Sequence, residues 1–227
     1  MTGYFKALAL VVPCLAISPA FAAPIVLDFE GLDSNEAVGG FYNGGVSENG
    51  NSGANYGVSF SDNALGLVDA DAGGDGQFGG EPSPDTILYF TEGEDLVLSV
   101  ADGFGTSFSF FYSAVYTPAV VNIYDGMGGT GNILATLDIP VTTTDEGDPT
   151  GIFSPFFDLG IEFEGIGQSV AFEAYPEMLA LDNVTFGEIT DDNGNGGDPV
   201  AVPEPSTLAL LGLSMLGLGA VRRRKHG

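Results

Sequence analysis

The sequence predicts an all-β protein, built as a two-sheet antiparallel β-sandwich of the jelly-roll type. Short runs of β-branched and aromatic residues recur along the chain, separated by clusters of Gly, Asn, Asp and Pro. No part of residues 23–189 has the apolar period of a helix. The chain has 227 residues, 44% of them hydrophobic, which suits one folded core.

Nine strands are predicted between residues 23 and 189. In the clearest one, Thr106 to Tyr116, Phe108 and Phe110 alternate with serines, so that one face is apolar and the other hydroxylated. Two long stretches rich in Gly, Asn and Asp, 39–55 and 69–84, are predicted loops, where binding sites usually lie. The other predicted strands are Ile25–Glu30, Tyr56–Ser61, Thr86–Thr91, Leu96–Val100, Ala119–Tyr124, Ile133–Ile139, Ser169–Tyr175 and Leu179–Phe186.

Charged residues are distributed very unevenly. The chain has 31 acidic and 5 basic residues, and no Lys, Arg or His lies between residues 7 and 221. Such a surface is expected to bind no nucleic acid and to attract cations. A Ser-His-Asp triad, a lysine Schiff base and a histidine zinc site are excluded within this segment. The acidity would also suit a saline habitat, and this alternative stays open.

The N-terminus predicts a secretory signal peptide over residues 1–22. Lys6 supplies the positive charge, an apolar helix follows from residue 7 to residue 17, and Ala20-Phe21-Ala22 is a small-x-small cleavage site. We therefore expect the Sec export machinery and signal peptidase as processing partners. The single cysteine, Cys14, falls in the removed segment, which leaves a domain without cysteine.

The C-terminus has three parts in a fixed order. An acidic Gly/Asn-rich segment, residues 190–202, predicts a flexible linker. Pro203, Glu204 and Pro205 follow, and then an apolar stretch over 208–221 and a basic tail over 222–226. A helix of that stretch would reach about 21 Å, short of the roughly 30 Å hydrocarbon core. This predicts transient insertion into the inner membrane, with the basic tail on the cytoplasmic side.

This order of motif, helix and basic tail over residues 203–226 resembles the PEP-CTERM sorting signal of Gram-negative bacteria. The resemblance implies processing near Pro203-Glu204-Pro205 by an exosortase. It also implies delivery to the cell surface or extracellular matrix, in association with exopolysaccharide and biofilm.

Two glycine-containing motifs suggest ligand sites. Residues 126–131 fit the GxGxxG spacing, but strand-like residues follow where a dinucleotide site needs a helix, so a hairpin turn is predicted. Asp69, Asp71 and Asp75 are spaced like the start of an EF-hand loop, although Gly80 stands where the bidentate Glu belongs. These three residues predict either a different calcium loop or a solvated acidic turn.

A second calcium site is suggested by both ends of the domain. The segments Leu27 to Gly31 and Leu181 to Phe186 resemble the first and last strands of jelly-roll carbohydrate-binding modules. In those modules a carboxylate from each strand often joins a structural calcium, which implies Glu30 and Asp182 here, with Asp28 as a third ligand. Neighbouring carboxylates without a cationic partner repel one another, and a divalent ion relieves that repulsion. Two carboxylates that face solvent separately are the alternative.

For sugar binding, an aromatic platform beside hydrogen-bonding side chains is needed. The chain has no Trp, and Tyr42 and Tyr56 beside the Asn- and Gly-rich loop are the candidates.

The function expected from these features is that of an exported, non-catalytic matrix protein that binds polysaccharide with the help of calcium. A carboxylate-based glycoside hydrolase or lyase and a surface protein that self-assembles through open sheet edges are the alternatives.

Overall fold

The computed structural model describes residues 24–93, 95–142 and 152–187, and these ranges contain strands, turns and loops but no helix. The predicted all-β class is confirmed. No helix within those ranges is long and apolar enough to cross a membrane. The predicted signal peptide, linker and sorting signal lie outside the described residues.

Within these ranges, ten strands form one continuous, hydrogen-bonded antiparallel sheet. Its main path runs β2-β4-β5-β10-β6-β9-β7-β8, with β1 also paired to β10 and β3 to β6. The strands are β1 Ile25–Leu27, β2 Glu36–Ala37, β3 Val58–Phe60, β4 Ala64–Val68, β5 Thr86–Phe90, β6 Leu96–Ala114, β7 Ala119–Tyr124, β8 Ile133–Ile139, β9 Phe157–Glu173 and β10 Leu179–Phe186.

Two long strands, β6 and β9, belong to both layers of the sandwich. The start of β6 pairs with β3 and the end of β9, whereas its later part pairs with β10 and the start of β9. The β6–β9 register shifts between Ser99 and Phe104 and again between Gly105 and Ser107. Gly103 at φ +71° and Thr106 at φ +61° lie at these shifts. Such bulges bend a strand, and they let one sheet fold over on itself.

Aromatic side chains join the two layers in the core. Phe172, near the end of β9, lies with its ring centroid 6.1 Å from that of Phe108 and 5.2 Å from that of Phe110. All three are at most 1% exposed. The alternation predicted for β6 therefore does face an apolar core, which extends to Leu27, Leu88 and other buried side chains of both layers.

The opposite face of β4, β5 and β10 carries a smaller apolar cluster, here called the outer-face cluster. Its buried members are Phe78, Ile87, Phe156 and Ala180. Phe78 comes from the acidic loop after β4 and is 0% exposed. Phe78 lies in the loop before β5 and Phe156 in the segment before β9, so these two connections cover this face of the sheet.

The strand predictions differ from the structure in four places. The segments Leu96–Val100 and Thr106–Tyr116 were predicted as separate strands, but one strand, β6, contains almost all of both. Strands β2 and β4 and the first part of β9 were not predicted. The GxGxxG segment forms the turn between β7 and β8, as predicted, with Gly128 and Gly129 at φ +67° and +68°.

Candidate functional site

The carboxylate of Asp182, on the last strand, lies close to oxygen atoms of the Ser83 loop, which in turn contacts the end of the first strand. Asp182 is on β10 and is 0% exposed. Its Oδ2 accepts the backbone N–H of Ser83 at 2.8 Å, and its Oδ1 accepts that of Asn183 at 2.6 Å. The Ser83 hydroxyl lies 2.8 Å from each carboxylate oxygen. Ser83 lies between Pro82 and Pro84, whose fixed φ angles restrict the loop that presents it.

The Ser83 hydroxyl also faces two backbone carbonyl oxygens. Its Oγ is 3.1 Å from the carbonyl oxygen of Asp28 and 3.3 Å from that of Thr86. A serine hydroxyl has one proton to donate, so four acceptor oxygens compete for it. Carboxylate, carbonyl and hydroxyl oxygens are the ligands that a hard cation prefers.

Glu30 lies beside this group. Its Oε1 accepts the backbone N–H groups of Asp85 at 3.0 Å and of Thr86 at 2.9 Å. Burial raises the pKa of Asp182 to about 7, the negative charge of Glu30 adds to the rise, and the hydrogen bonds from Ser83 and Asn183 oppose it. The structure thus places Glu30 near enough to Asp182 for its charge to act on that carboxylate.

Asp28 enters this site through its backbone and not through its carboxylate. Its side chain is exposed, and its Oδ1 lies 3.3 Å from the hydroxyl of Tyr42. Among the described residues, no three or more His, Cys, Asp and Glu side chains gather into a metal-binding group. The candidate centre therefore consists of two carboxylates, two carbonyl oxygens and one hydroxyl. These are hard oxygen donors, which fit Ca²⁺ and do not fit zinc or copper.

The acidic loop does not bring its three aspartates together. Asp69 is 3% exposed, and its Oδ1 accepts the N–H of Ala70 at 2.7 Å. Asp71 and Asp75 are exposed. The loop is a turn closed by backbone bonds, such as Gly74 N–H to the Asp69 carbonyl at 2.7 Å, and the three carboxylates share no described metal group.

Tyr42 is a core residue. It is 2% exposed, its hydroxyl accepts the N–H of Phe29 at 2.8 Å, and burial and the charge of Asp28 raise its pKa. A ring buried in this way offers no open face to a sugar, which corrects the expectation for Tyr42. Tyr56 is 40% exposed, and its ring stacks on that of Tyr42 with centroids 6.1 Å apart.

Glu36 organises the Asn- and Gly-rich loop, a role that the sequence analysis missed. Its side chain is 1% exposed, and its carboxylate accepts the N–H groups of Asp33 at 2.6 Å and Asn49 at 2.9 Å and the amide of Asn51 at 3.0 Å. Burial raises its pKa, but these hydrogen bonds outweigh burial and hold the pKa below its usual value. The only signal was the cluster of asparagines 13 to 15 residues further along.

Residues 201–225 match the model of the PEP-CTERM protein-sorting motif. The chain therefore carries this motif, which marks an exported, cell-surface-directed protein and implies an exosortase as a processing partner. No curated protein matches the sequence.

Several solved structures resemble the chain at low sequence identity, including two adhesin domains and a carbohydrate-binding module. The K1 cleaved adhesin domain of Lys-gingipain from Porphyromonas gingivalis W83 is 12% identical, with 74% of this chain and 100% of that chain covered and a TM-score of 0.44. The K2 cleaved adhesin domain of Lys-gingipain is 13% identical, with 72% and 99% covered and a TM-score of 0.44. A carbohydrate-binding module of Cellvibrio mixtus lichenase 5A, solved with cellotriose, is 12% identical, with 56% and 88% covered and a TM-score of 0.34.

Proposed function

We propose that the protein is a non-catalytic component of the cell surface or extracellular matrix that associates with exopolysaccharide, and that a calcium ion stabilises its sandwich. The sorting motif over residues 201–225 carries the first part of this proposal, because it marks an exported, cell-surface-directed protein. The oxygen cluster around Asp182 supports the second part.

Calcium would be held by Asp182 and Glu30, together with the carbonyl oxygens of Asp28 and Thr86. Bound there, the ion would supply positive charge to a pair of carboxylates that have no basic neighbour. It would also join three parts of the chain that are far apart in sequence: the end of β1, the Ser83 loop and β10. This role is structural, since Asp182 is 0% exposed and so out of reach of a polysaccharide.

The surface carboxylates support an additional role for divalent cations in polysaccharide association. The segment 7–221 has no basic side chain to pair with an acidic polysaccharide. Direct contact between two polyanions is repulsive, and calcium ions shared between carboxylates of both partners would remove that repulsion.

A glycoside hydrolase would need an acid and a second carboxylate in one accessible cleft. The Glu30–Asp182 pair does not meet this requirement, because Asp182 is closed to solvent. The pair therefore supports a structural ion site and not a hydrolytic one.

Processing and association are tested together by expressing the full chain in a bacterium that has an exosortase. The matrix-associated protein is expected to lack residues 208–227 by intact mass, and to co-sediment with the exopolysaccharide in calcium but not in chelator. Glu204→Ala is expected to leave the protein in the membrane fraction, whereas Asp198→Ala in the predicted linker serves as the matched control. A matrix-associated protein that retains residues 208–227, or sedimentation unchanged by chelator, would contradict the proposal.

A further inference from the structure

A cleft of about 350 Å³ opens on the outer face of the sheet, over β4, β5 and β10. Ile87, Leu179 and Ala180, each 1% exposed, line its buried part. Leu67 and Phe153, both half-buried members of the outer-face cluster, line it as well. Its volume lies in the range of roughly 300–1,000 Å³ that is usual for small-ligand pockets.

Polar side chains stand at the rim of this apolar cleft. Tyr89 on β5 is half-buried, and its hydroxyl donates to Oδ1 of Asn35 at 2.6 Å. Asp75 and Glu177 also line the cleft, and both are exposed. The rim therefore combines a fixed aromatic ring, an amide and two carboxylates.

Two rim residues have an uncommon backbone conformation. Asn35 and Glu177 both have a φ of +61°. The left-handed region is tolerated by Asn but rarely occupied by Glu. The N–H of Asn35 is bonded to the carbonyl oxygen of Gly66 at 2.8 Å, and that of Glu177 to the carbonyl oxygen of Phe90 at 3.0 Å. Backbone outliers held in place by such contacts concentrate at functional sites.

We infer that this cleft binds a short segment of an uncharged polysaccharide, an inference that rests on the proposed association with exopolysaccharide. The aliphatic and aromatic lining matches the C–H face of a pyranose ring, and the polar rim matches its hydroxyl groups, which donate well to carboxylates. Asp75 and Glu177 repel a uronate sugar, and the segment 7–221 has no basic residue to offset them. The charge of the rim therefore selects against acidic sugars.

The cleft is separate from the candidate calcium centre, although both lie on one face of β10. Ala180 lines the cleft and Asp182 holds the centre. Residues two apart on a strand point to the same side, about 6.7 Å from each other. Sugar binding is therefore measured with calcium present throughout, so that the fold stays constant.

Isothermal titration of the mature protein with cellohexaose, xylohexaose, laminarihexaose and hexagalacturonate tests the inference. At least one neutral hexasaccharide is expected to bind, with Tyr89→Ala weakening its Kd about tenfold or more. Tyr89→Phe, which keeps the aromatic ring, is expected to weaken sugar binding less than Tyr89→Ala does. Tyr116→Ala removes a tyrosine that is 75% exposed and lies outside the cleft, so its Kd should equal that of the wild type. Melting temperatures establish that each variant is folded.

Three binding results would overturn the inference. The first is no binding of any neutral hexasaccharide up to about 10 mM, and the second is an equal effect of Tyr89→Ala and Tyr116→Ala. The third is hexagalacturonate binding that Tyr89→Ala weakens as much as it weakens the binding of neutral sugars, since a uronate held through calcium at the surface carboxylates would not depend on Tyr89. If the wild type releases reducing ends from a hexasaccharide and Glu177→Gln does not, the cleft hydrolyses its sugar, and the inference of binding alone is wrong. If Tyr89→Ala sediments with exopolysaccharide as the wild type does, the inference about the cleft is wrong and the proposed function stands. If the wild type itself does not sediment with exopolysaccharide, the proposed function is wrong.

Discussion

The hydroxyl of Ser83 lies 2.8 Å from both carboxylate oxygens of Asp182, a residue 99 positions further along the chain. This contact joins the acidic loop to the last strand. The same hydroxyl also contacts the carbonyl oxygen of Asp28, the residue that follows the first strand. The relationship identifies the loop between β4 and β5 as part of the candidate centre, in addition to the two strand ends that the sequence indicated.

Replacing Ser83 by Ala tests how much this contact stabilises the fold. Ser83→Ala leaves the Asp182 carboxylate without its side-chain donor, and we expect the free energy of unfolding in chelator to fall by about 1.5–3 kcal/mol. Urea denaturation measures it. Ser107→Ala is the matched control, because the buried Ser107 Oγ has no hydrogen-bond partner among the described residues and its removal should be neutral. Equal losses in the two variants would contradict the account.

The Glu36 network predicts a pH-dependent contribution to stability. Glu36→Gln removes a buried charged acceptor of three hydrogen bonds, and we expect a loss of about 1.5–3 kcal/mol at pH 7. Because the folded pKa of Glu36 lies below its usual value of 4.5, its contribution is complete above that value and is lost as the pH falls through the folded pKa. The difference between wild type and variant should therefore shrink in acid.

The exposed Glu48, which accepts one N–H at 3.3 Å, provides the control for this experiment. Glu48→Gln should change the unfolding free energy little at any pH. A Glu36→Gln difference that stays constant down to pH 3 would contradict the role assigned to the carboxylate.

Phe172 is predicted to be the main contact between the two layers. Phe172→Ala removes a ring that packs on Phe108 and Phe110, and we expect a loss of about 3–5 kcal/mol in chemical denaturation. Phe157 lies on the same strand but is 44% exposed, so Phe157→Ala should cost much less. Similar losses for both variants would be inconsistent with a core centred on Phe172.

Strands were predicted correctly where the sequence pattern of the strand itself was enough to identify it. Strands with β-branched or aromatic alternation, such as β7 and β8, were predicted at their observed bounds. The first part of β9 contains Gly160, Gly165 and Gly167, which disfavour a strand. Its pairing with β6, remote in sequence, holds it in the sheet, and no local pattern reports such pairing.

The same distinction applies to the candidate site. Glu30 and Asp182 were proposed because the segments that contain them resemble the first and last strands of jelly-roll carbohydrate-binding modules. Ser83 and Glu36 were missed because their partners are set by tertiary folding, and one Glu among 31 acidic residues carries no distinguishing pattern. Tyr42 was misjudged because a tyrosine beside a polar loop looks exposed in sequence, whereas the loop folds over it.

Calorimetric unfolding of the mature protein in calcium and in chelator tests the central claim most directly. Calcium at about 100 times its Kd should add about 2.7 kcal/mol to the folded state, which raises Tm by about 5–10 °C for a domain of this size. Asp182→Asn should abolish the rise, and Asp158→Asn, at an exposed carboxylate on β9, should leave it unchanged. An identical Tm in calcium and chelator, or a rise that Asp182→Asn retains in full, would contradict a calcium centre at Asp182.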